Sequence, residues 1–322
     1  MTAVLAVPGI ESNFFTLTLL LQNLTNALAN GAVYALMALT VVMIYKTTGH
    51  LNFAQGEMAL FATFGAWWIN DHGAPLWVSI ALAAVFAFVG GGVIEFGLIR
   101  PAGKKSPFAV IVVTIGLFQA MNSLSGLLFE NAGTGLPFGS LFPNKPDDFW
   151  RITNKTVWRY QNIGVLVTVL VITGLLFALF QKTKIGLAMR MVANNPDSAK
   201  LSGVSTSRIL MLSWALSAAI GAVGGALVAG VNTNVNLATM FGVFLLASAA
   251  ATLGGLDSPL GAIVGGLSLG VVESLVQNYP RDWPASNYIG ADTAVAVAFL
   301  IILVVLLVKP AGLFGSSRVE RV

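Results

Sequence analysis

The chain has 322 residues, of which 56% are hydrophobic and only 9% charged, with a mean hydropathy of +0.83. Soluble domains carry about 25% charged residues, so this composition excludes a water-soluble fold and identifies an integral membrane protein. The net charge is +4 and there is no cysteine, which excludes disulfides, thiolate metal sites and cysteine catalysis. Two isolated histidines, His50 and His72, do not suggest a metal set. The apolar runs are continuous and lack the two-residue alternation of a membrane barrel, so the fold class is all-α and polytopic. The first residues lack the basic start of a cleavable signal, so mature protein is expected from Met1.

In chain order, residues 12–45 are free of charge and predict a first span. Asn23, Asn26 and Asn30 share one helical face, which is expected to look into protein. After Lys46-Thr47-Thr48-Gly49-His50, a shorter span over 52–69 contains Glu57, and a third covers 76–99. Arg100-Pro101-Ala102-Gly103-Lys104-Lys105 reads as a basic turn before a fourth span over 108–129. Residues 130–162 form a polar segment, and a fifth span covers 163–180. A basic, punctuated stretch at 182–208 follows. Residues 209–256 must hold two spans parted at 232–236, and two more cover 260–276 and 293–308. The total is about 8–9 transmembrane helices, with the short ones near Asn52 and Thr252 candidates for re-entrant segments. No fixed-period repeat occurs, so residues 1–322 are read as a single membrane domain.

Basic residues mark the cytoplasmic side of a membrane. Arg100, Lys104 and Lys105, the 182–208 stretch, and the tail with Lys309, Arg318 and Arg321 fall on one side if there are nine crossings. That arrangement puts the N-terminus outside and the C-terminus inside, and makes 130–162 an extracytoplasmic loop.

The 182–208 stretch divides at Asn195-Pro196. A residue before proline is pushed out of the helical region, so one short helix ends by Asn194. Asn195 can cap a second, with Pro196 in its first turn, and Gly203 suits the left-handed residue that stops it. Ser205 to Ser207 offers a new cap. Two helices of roughly two turns are too short to stand alone. Either the stretch lies on headgroups as a solvated loop, or it docks a soluble partner.

Asn52-Phe53-Ala54-Gln55-Gly56-Glu57 is the most informative intramembrane segment. A carboxylate in a span costs a few kcal/mol and is expected to face protein or water. Asn52, Gln55 and Gly56 lie with Ala59 and Thr63 on one polar, small-residue face. Two readings stand: Asn52, Gln55, Gly56 and Glu57 line a solute path at the start of a broken helix, or they cap it with Glu57 paired to a basic residue. Gly261 and Gly265, and Gly266 and Gly270, are each four apart, as are Gly221 and Gly225, a spacing that lets helices approach closely. Glu273 shares the face of Gly266 and Gly270 and is expected in packing. Glu95 is expected to pair with Arg100. Residues 97–104 do not fit a phosphate-binding loop in spacing or context. The scarcity of buried charges argues against an ion relay and favours a neutral or zwitterionic solute.

With these residues in view, the chain resembles the permeases of branched-chain (leucine/isoleucine/valine) amino-acid ABC importers. Gly49-His50-Leu51-Asn52-Phe53-Ala54-Gln55-Gly56-Glu57 is similar to that family's N-F-A-[HQ]-G-E segment. Arg190, Ala193, Asn195, Ala199 and Gly203-Val204 match its cytoplasmic loop. Gly254-Gly255-Leu256-Asp257-Ser258-Pro259-Leu260-Gly261-Ala262, with Gly265 and Glu273, matches its glycine-rich run, although Asp257 stands where glycine is common. Lys309-Pro310-Ala311-Gly312-Leu313-Phe314-Gly315 matches its terminal motif.

The resemblance implies ATPase coupling through 182–208, by way of Arg190, Ala193, Asn195, Ala199 and Gly203. It implies a bacterial cytoplasmic membrane and three kinds of partner: a second related permease, expected as a heterodimer, two ATP-binding subunits, and an extracytoplasmic solute-binding protein. Lipid surrounds the chain and no nucleic acid is expected. No cofactor is expected in this chain; ATP and magnesium belong to the partner subunits. Related permeases carry urea or short amides, which leaves the solute open. A stand-alone secondary transporter or channel is the rival reading, and a membrane enzyme has no nucleophile–base pair or metal set to support it.

Overall fold

The computed structural model describes residues 17–152, 156–278, 290 and 293–315. Arg318 and Arg321 of the tail, Lys155 of the outer loop and most of the turn expected over 278–291 lie outside the described residues. Among the described residues, six helices are long and apolar enough to cross a membrane, and two further apolar helices are shorter.

Helix α1 (Leu17–Thr48) is the central post. Ala27, Gly31, Ala32, Ala35 and Ala38 are small, so α9 (Thr206–Asn232), α10 (Thr239–Gly254) and α11 (Pro259–Gln277) can press against it. Thr47 and Thr48 donate their hydroxyls to the carbonyls of Met43 and Ile44, and so close the C-terminal end of α1. Helices α5 (Pro107–Leu128) and α6 (Tyr160–Lys182) are mostly exposed by comparison, with Val112, Ile115, Leu127, Val167, Leu170 and Leu175 uncovered. Bare leucine and valine cost nothing in hydrocarbon, so burial here follows position in the bundle rather than residue polarity. The asparagine face of α1 turns inward only in part. Asn23 is buried, whereas Asn26 is exposed and accepts a hydrogen bond from Asn162 Nδ2 at 3.1 Å.

Helix α2 (Gln55–Asp71) starts part-way through the bundle instead of at its face. The third span is α3 (Leu76–Ile94), which passes through a π-helical turn (Glu95–Ile99) into α4 (Arg100–Gly103). The basic turn expected at Arg100 is thus the end of a helix. The extra residue of the π turn lets Arg100 fold back on Glu95, with Nη2 2.6 Å from Oε2, and reach the Ser207 carbonyl at 3.3 Å. Glu95 is buried, so this ion pair lies inside the protein and ties α3 to the first turn of α9.

The 130–162 segment is structured. Strand β1 (Leu136–Pro137) pairs antiparallel with β4 (Asn234–Val235), in the α9–α10 connection. Strand β2 (Phe149–Arg151) pairs with β3 (Val157–Arg159) through Trp150 and Trp158. At the opposite end, α7 (Lys184–Asn194) and α8 (Pro196–Leu201) form a hairpin between α6 and α9, and α12 (Ala294–Val308) closes the bundle.

Candidate functional site

The start of α2 is held by side chains from three other helices. Asn52 Oδ1 accepts from Ala54 N at 3.0 Å, which turns the incoming chain. Asn52 Nδ2 donates to Gln55 Oε1 at 3.2 Å, and Gln55 Nε2 donates to the Ser217 carbonyl of α9 at 3.1 Å. Ser217 Oγ is 3.0 Å from the Thr40 carbonyl and 3.2 Å from Gln55 Oε1, so its single hydrogen serves one acceptor at a time. Thr40 lies two turns before the end of α1, which places the first residue of α2 deep in the bundle. Gly56 packs against the Cβ of Phe244, and Gly221 and Gly225 of α9 give α2 its close seat at Gln55, Ala59 and Thr63.

Glu57 is 1% exposed. Its Oε2 accepts from Asn122 Nδ2 at 3.0 Å, while Oε1 is buried with no partner. Asn122 also donates to the Leu237 carbonyl at 3.2 Å, so α2, α5 and the α9–α10 connection meet at one amide. Asn52 and Gln55 are thus tied to each other and to α9, Glu57 is tied to α5, and all three are buried in this conformation. Glu57 takes an amide rather than a basic residue, against the cap reading of the sequence. Asn122 and Ser217 are essential to this cluster and no sequence motif singled them out. The available signal was polarity alone, and a weak one: each is one of several hydrogen-bonding residues in a mostly apolar span.

At the other end, Asn195 Oδ1 accepts from the amides of Asp197 and Ser198, both at 3.0 Å, as its place before Pro196 requires. Gly203 adopts φ +82°, and its amide bonds the Lys200 carbonyl. Ser205 precedes α9 but makes no side-chain cap. The first helix runs to three turns rather than two. Met189, Val192, Ala199 and Ile209 form a small core under the hairpin, which answers how such short helices persist. Arg190 lies against α6, donating to Gln181 Oε1 at 3.3 Å, and Ala193 is half-buried. Asn195 and Gly203 are exposed, and Leu201 at the tip is 91% exposed.

The glycine-rich run and the terminal motif meet in space. The amides of Leu313 and Phe314 donate to the carbonyls of Leu253 and Gly254 at 2.8 and 2.9 Å. A Cβ on Gly255, which has φ +108°, would sit 2.6 Å from the Gly315 amide nitrogen. The turn at Asp257 is regular, and Ser258 Oγ caps α11 through the Gly261 amide. Gly261 and Gly265 face α10, whereas Gly266 and Gly270 face Ala35 and Gly31 of α1. Glu273 sits one turn on, taking a hydrogen bond from Tyr34 Oη at 2.5 Å and one from Gln277 Nε2 at 3.0 Å. Among the described residues no group of His, Asp and Glu could hold a metal ion.

A many-span helical bundle in which one helix begins in mid-bundle and a polar hairpin stands at one end suits a membrane permease. The sequence profile of the family described as "Branched-chain amino acid transport system / permease component" matches residues 23–308, and the chain belongs to that family. It is 28% identical over 319 residues to the high-affinity branched-chain amino acid transport system permease protein LivH of Escherichia coli (strain K12). That match covers 94% of this chain and 97% of LivH. It is likewise 28% identical over 312 residues to BraD of Pseudomonas aeruginosa, covering 94% and 98%. The nucleoside ABC transporter permease protein NupB of Lactococcus lactis subsp. cremoris is 23% identical over 306 residues, covering 89% of this chain and 82% of NupB.

Proposed function

We propose that the chain is the membrane subunit of an ATP-driven importer of branched-chain or related amino acids. It forms half of the translocation path beside a second homologous permease. Two ATP-binding subunits, which hold the ATP and magnesium, drive it through the α7–α8 hairpin, and an extracytoplasmic binding protein delivers the solute. The hairpin end faces the cytoplasm and residues 130–162 face outward in a bacterial inner membrane. Asn52, Gln55, Gly56 and Glu57 are the part of the path this chain supplies, exposed when the α2 junction opens.

The observation that carries this reading is the hairpin itself. It is anchored from below by its own small core, and it presents Leu201 with almost nothing around it. A leucine so exposed at the tip of a short capped helix, beyond the last apolar residues of α6, suits an apolar pocket on a soluble partner.

Leu201→Lys tests it without disturbing that core, which Ala199→Lys would. With the ATP-binding subunits co-expressed, we expect normal membrane insertion but a loss of more than about tenfold in uptake and in solute-stimulated ATP hydrolysis, since anchor residues contribute about 2 kcal/mol or more. Uptake at the unaltered rate would remove the hairpin from the coupling path. The solute class is tested on the cognate external receptor: binding of leucine, isoleucine or valine supports the amino-acid reading. Binding of nucleosides instead would align the chain with NupB.

A further inference from the structure

A cleft of about 410 Å³ opens on the cytoplasmic half of α1, between α6 and the start of α11. Its floor is apolar, with Leu39, Val42 and Met43 of α1, and its rims are Phe177 of α6 and Leu260 of α11. Both rim residues are exposed, as residues facing hydrocarbon are. One end of the cleft is different. Lys46 and Arg190 line it together with Thr47 and Ser258.

Neither of these two cations has an ion pair among the described residues, where the pairs are Arg100 with Glu95 and Lys200 with Asp197. Arg190 donates only through Nη1, to Gln181, and its Nε is buried with no partner. One acid, Asp257, lines the same wall and has a partner, so the cations of the cleft outnumber its acids two to one. A half-buried ammonium and a guanidinium facing a low-dielectric slot leave donors that water at a bilayer edge fills poorly. A group with an anionic oxygen cluster at one end and a hydrocarbon chain at the other satisfies both halves of the cleft at once. Basic pockets between membrane helices on the cytoplasmic side bind such headgroups.

We propose that this cleft holds one anionic phospholipid, its acyl chain along Leu39, Val42 and Phe177 and its phosphate between Lys46 and Arg190. The lipid fills the gap that α6 leaves beside α11 and braces the root of the hairpin, because Met189 and Arg190 of α7 form part of the same wall. The proposal stands on the cleft and its charges and is independent of the transport reading.

The test uses the full chain in nanodiscs of mixed phosphatidylglycerol and phosphatidylcholine, followed by detergent exchange and native mass spectrometry. We expect one phosphatidylglycerol per chain to survive, phosphatidylcholine to be lost, and millimolar inorganic phosphate to leave the bound lipid in place. Lys46→Gln and Arg190→Gln should each weaken retention about fivefold, roughly the effect of one cation at an anionic surface, and Lys46→Arg should retain the lipid. Thermal unfolding of each variant separates lipid loss from misfolding. Lys46→Gln sits at the cleft mouth, so the test survives a misfolded Arg190→Gln. Equal retention of the two lipids, wild-type retention by a folded Lys46→Gln, or displacement by phosphate alone would overturn it.

Discussion

Glu57 and Asn122 come from helices 65 residues apart and meet at 3.0 Å, and each is costly without the other. A buried polar group left unpaired costs about 1–3 kcal/mol, and more if charged. Asn122→Leu should therefore lower the unfolding temperature in detergent, and Glu57→Leu on top of it should restore part of the loss, a coupling that a double-mutant cycle measures. Additive losses would mean that the contact carries nothing. Neighbouring glycines give a sharper test. A Cβ on Gly91 would lie 2.7 Å from the Trp214 carbonyl oxygen and from the Ala218 Cβ, whereas one on Gly90 meets nothing within 4 Å. Gly90→Ala should be neutral or stabilising by up to about 1 kcal/mol through helix propensity. Gly91→Ala should destabilise by about 1–3 kcal/mol, as overpacking does. Thermal unfolding of the two variants side by side decides it. Four-residue spacing flags Gly261 and Gly265 in the sequence, but Gly91 is flagged by nothing except the backbone of α9.

At the scale of elements, the hairpin was legible because its signals are local. Asn195, Pro196 and Gly203 act on their own backbone, and each is found in the conformation its chemistry favours. Asn195→Ala removes the acceptor for two amides and should cost about 1 kcal/mol. We expect faster hydrogen exchange at Asp197 and Ser198 with exchange in α9 unchanged, and unchanged exchange at those two amides would show the cap to be idle. The π turn at Glu95–Ile99 was not legible, and one of the contacts made beside it lies on another helix: the Ser207 carbonyl that Arg100 reaches. The α2 junction was half legible. Its polar residues announced a break, but the partner that each takes was set by α9 and α5.

For the whole molecule, the orientation proposed from basic residues has a direct check, because the chain contains no cysteine. Thr134 lies in the 130–162 segment and Ser202 at the hairpin, and both are exposed. A membrane-impermeant thiol reagent added to intact cells should label Thr134→Cys and not Ser202→Cys, with the reverse in inside-out vesicles. Labelling of both from one side would overturn the nine-crossing arrangement. The molecule is also closed at two ends by devices that join distant segments, β1 with β4 at one and the 309–315 turn on the α10–α11 connection at the other.

Composition and the order of apolar runs determined by themselves that this is a helical membrane protein, where its spans fall, and between which of them the hairpin lies. Each of those follows from transfer of single segments between water and lipid, a property that needs no neighbour. Which helix forms the centre, why α2 begins in mid-bundle and what Glu57 touches were decided only in three dimensions. Inside a bilayer every span is apolar, so hydropathy cannot rank one above another; close approach of small residues and a few buried amides do that, and they are properties of pairs of helices.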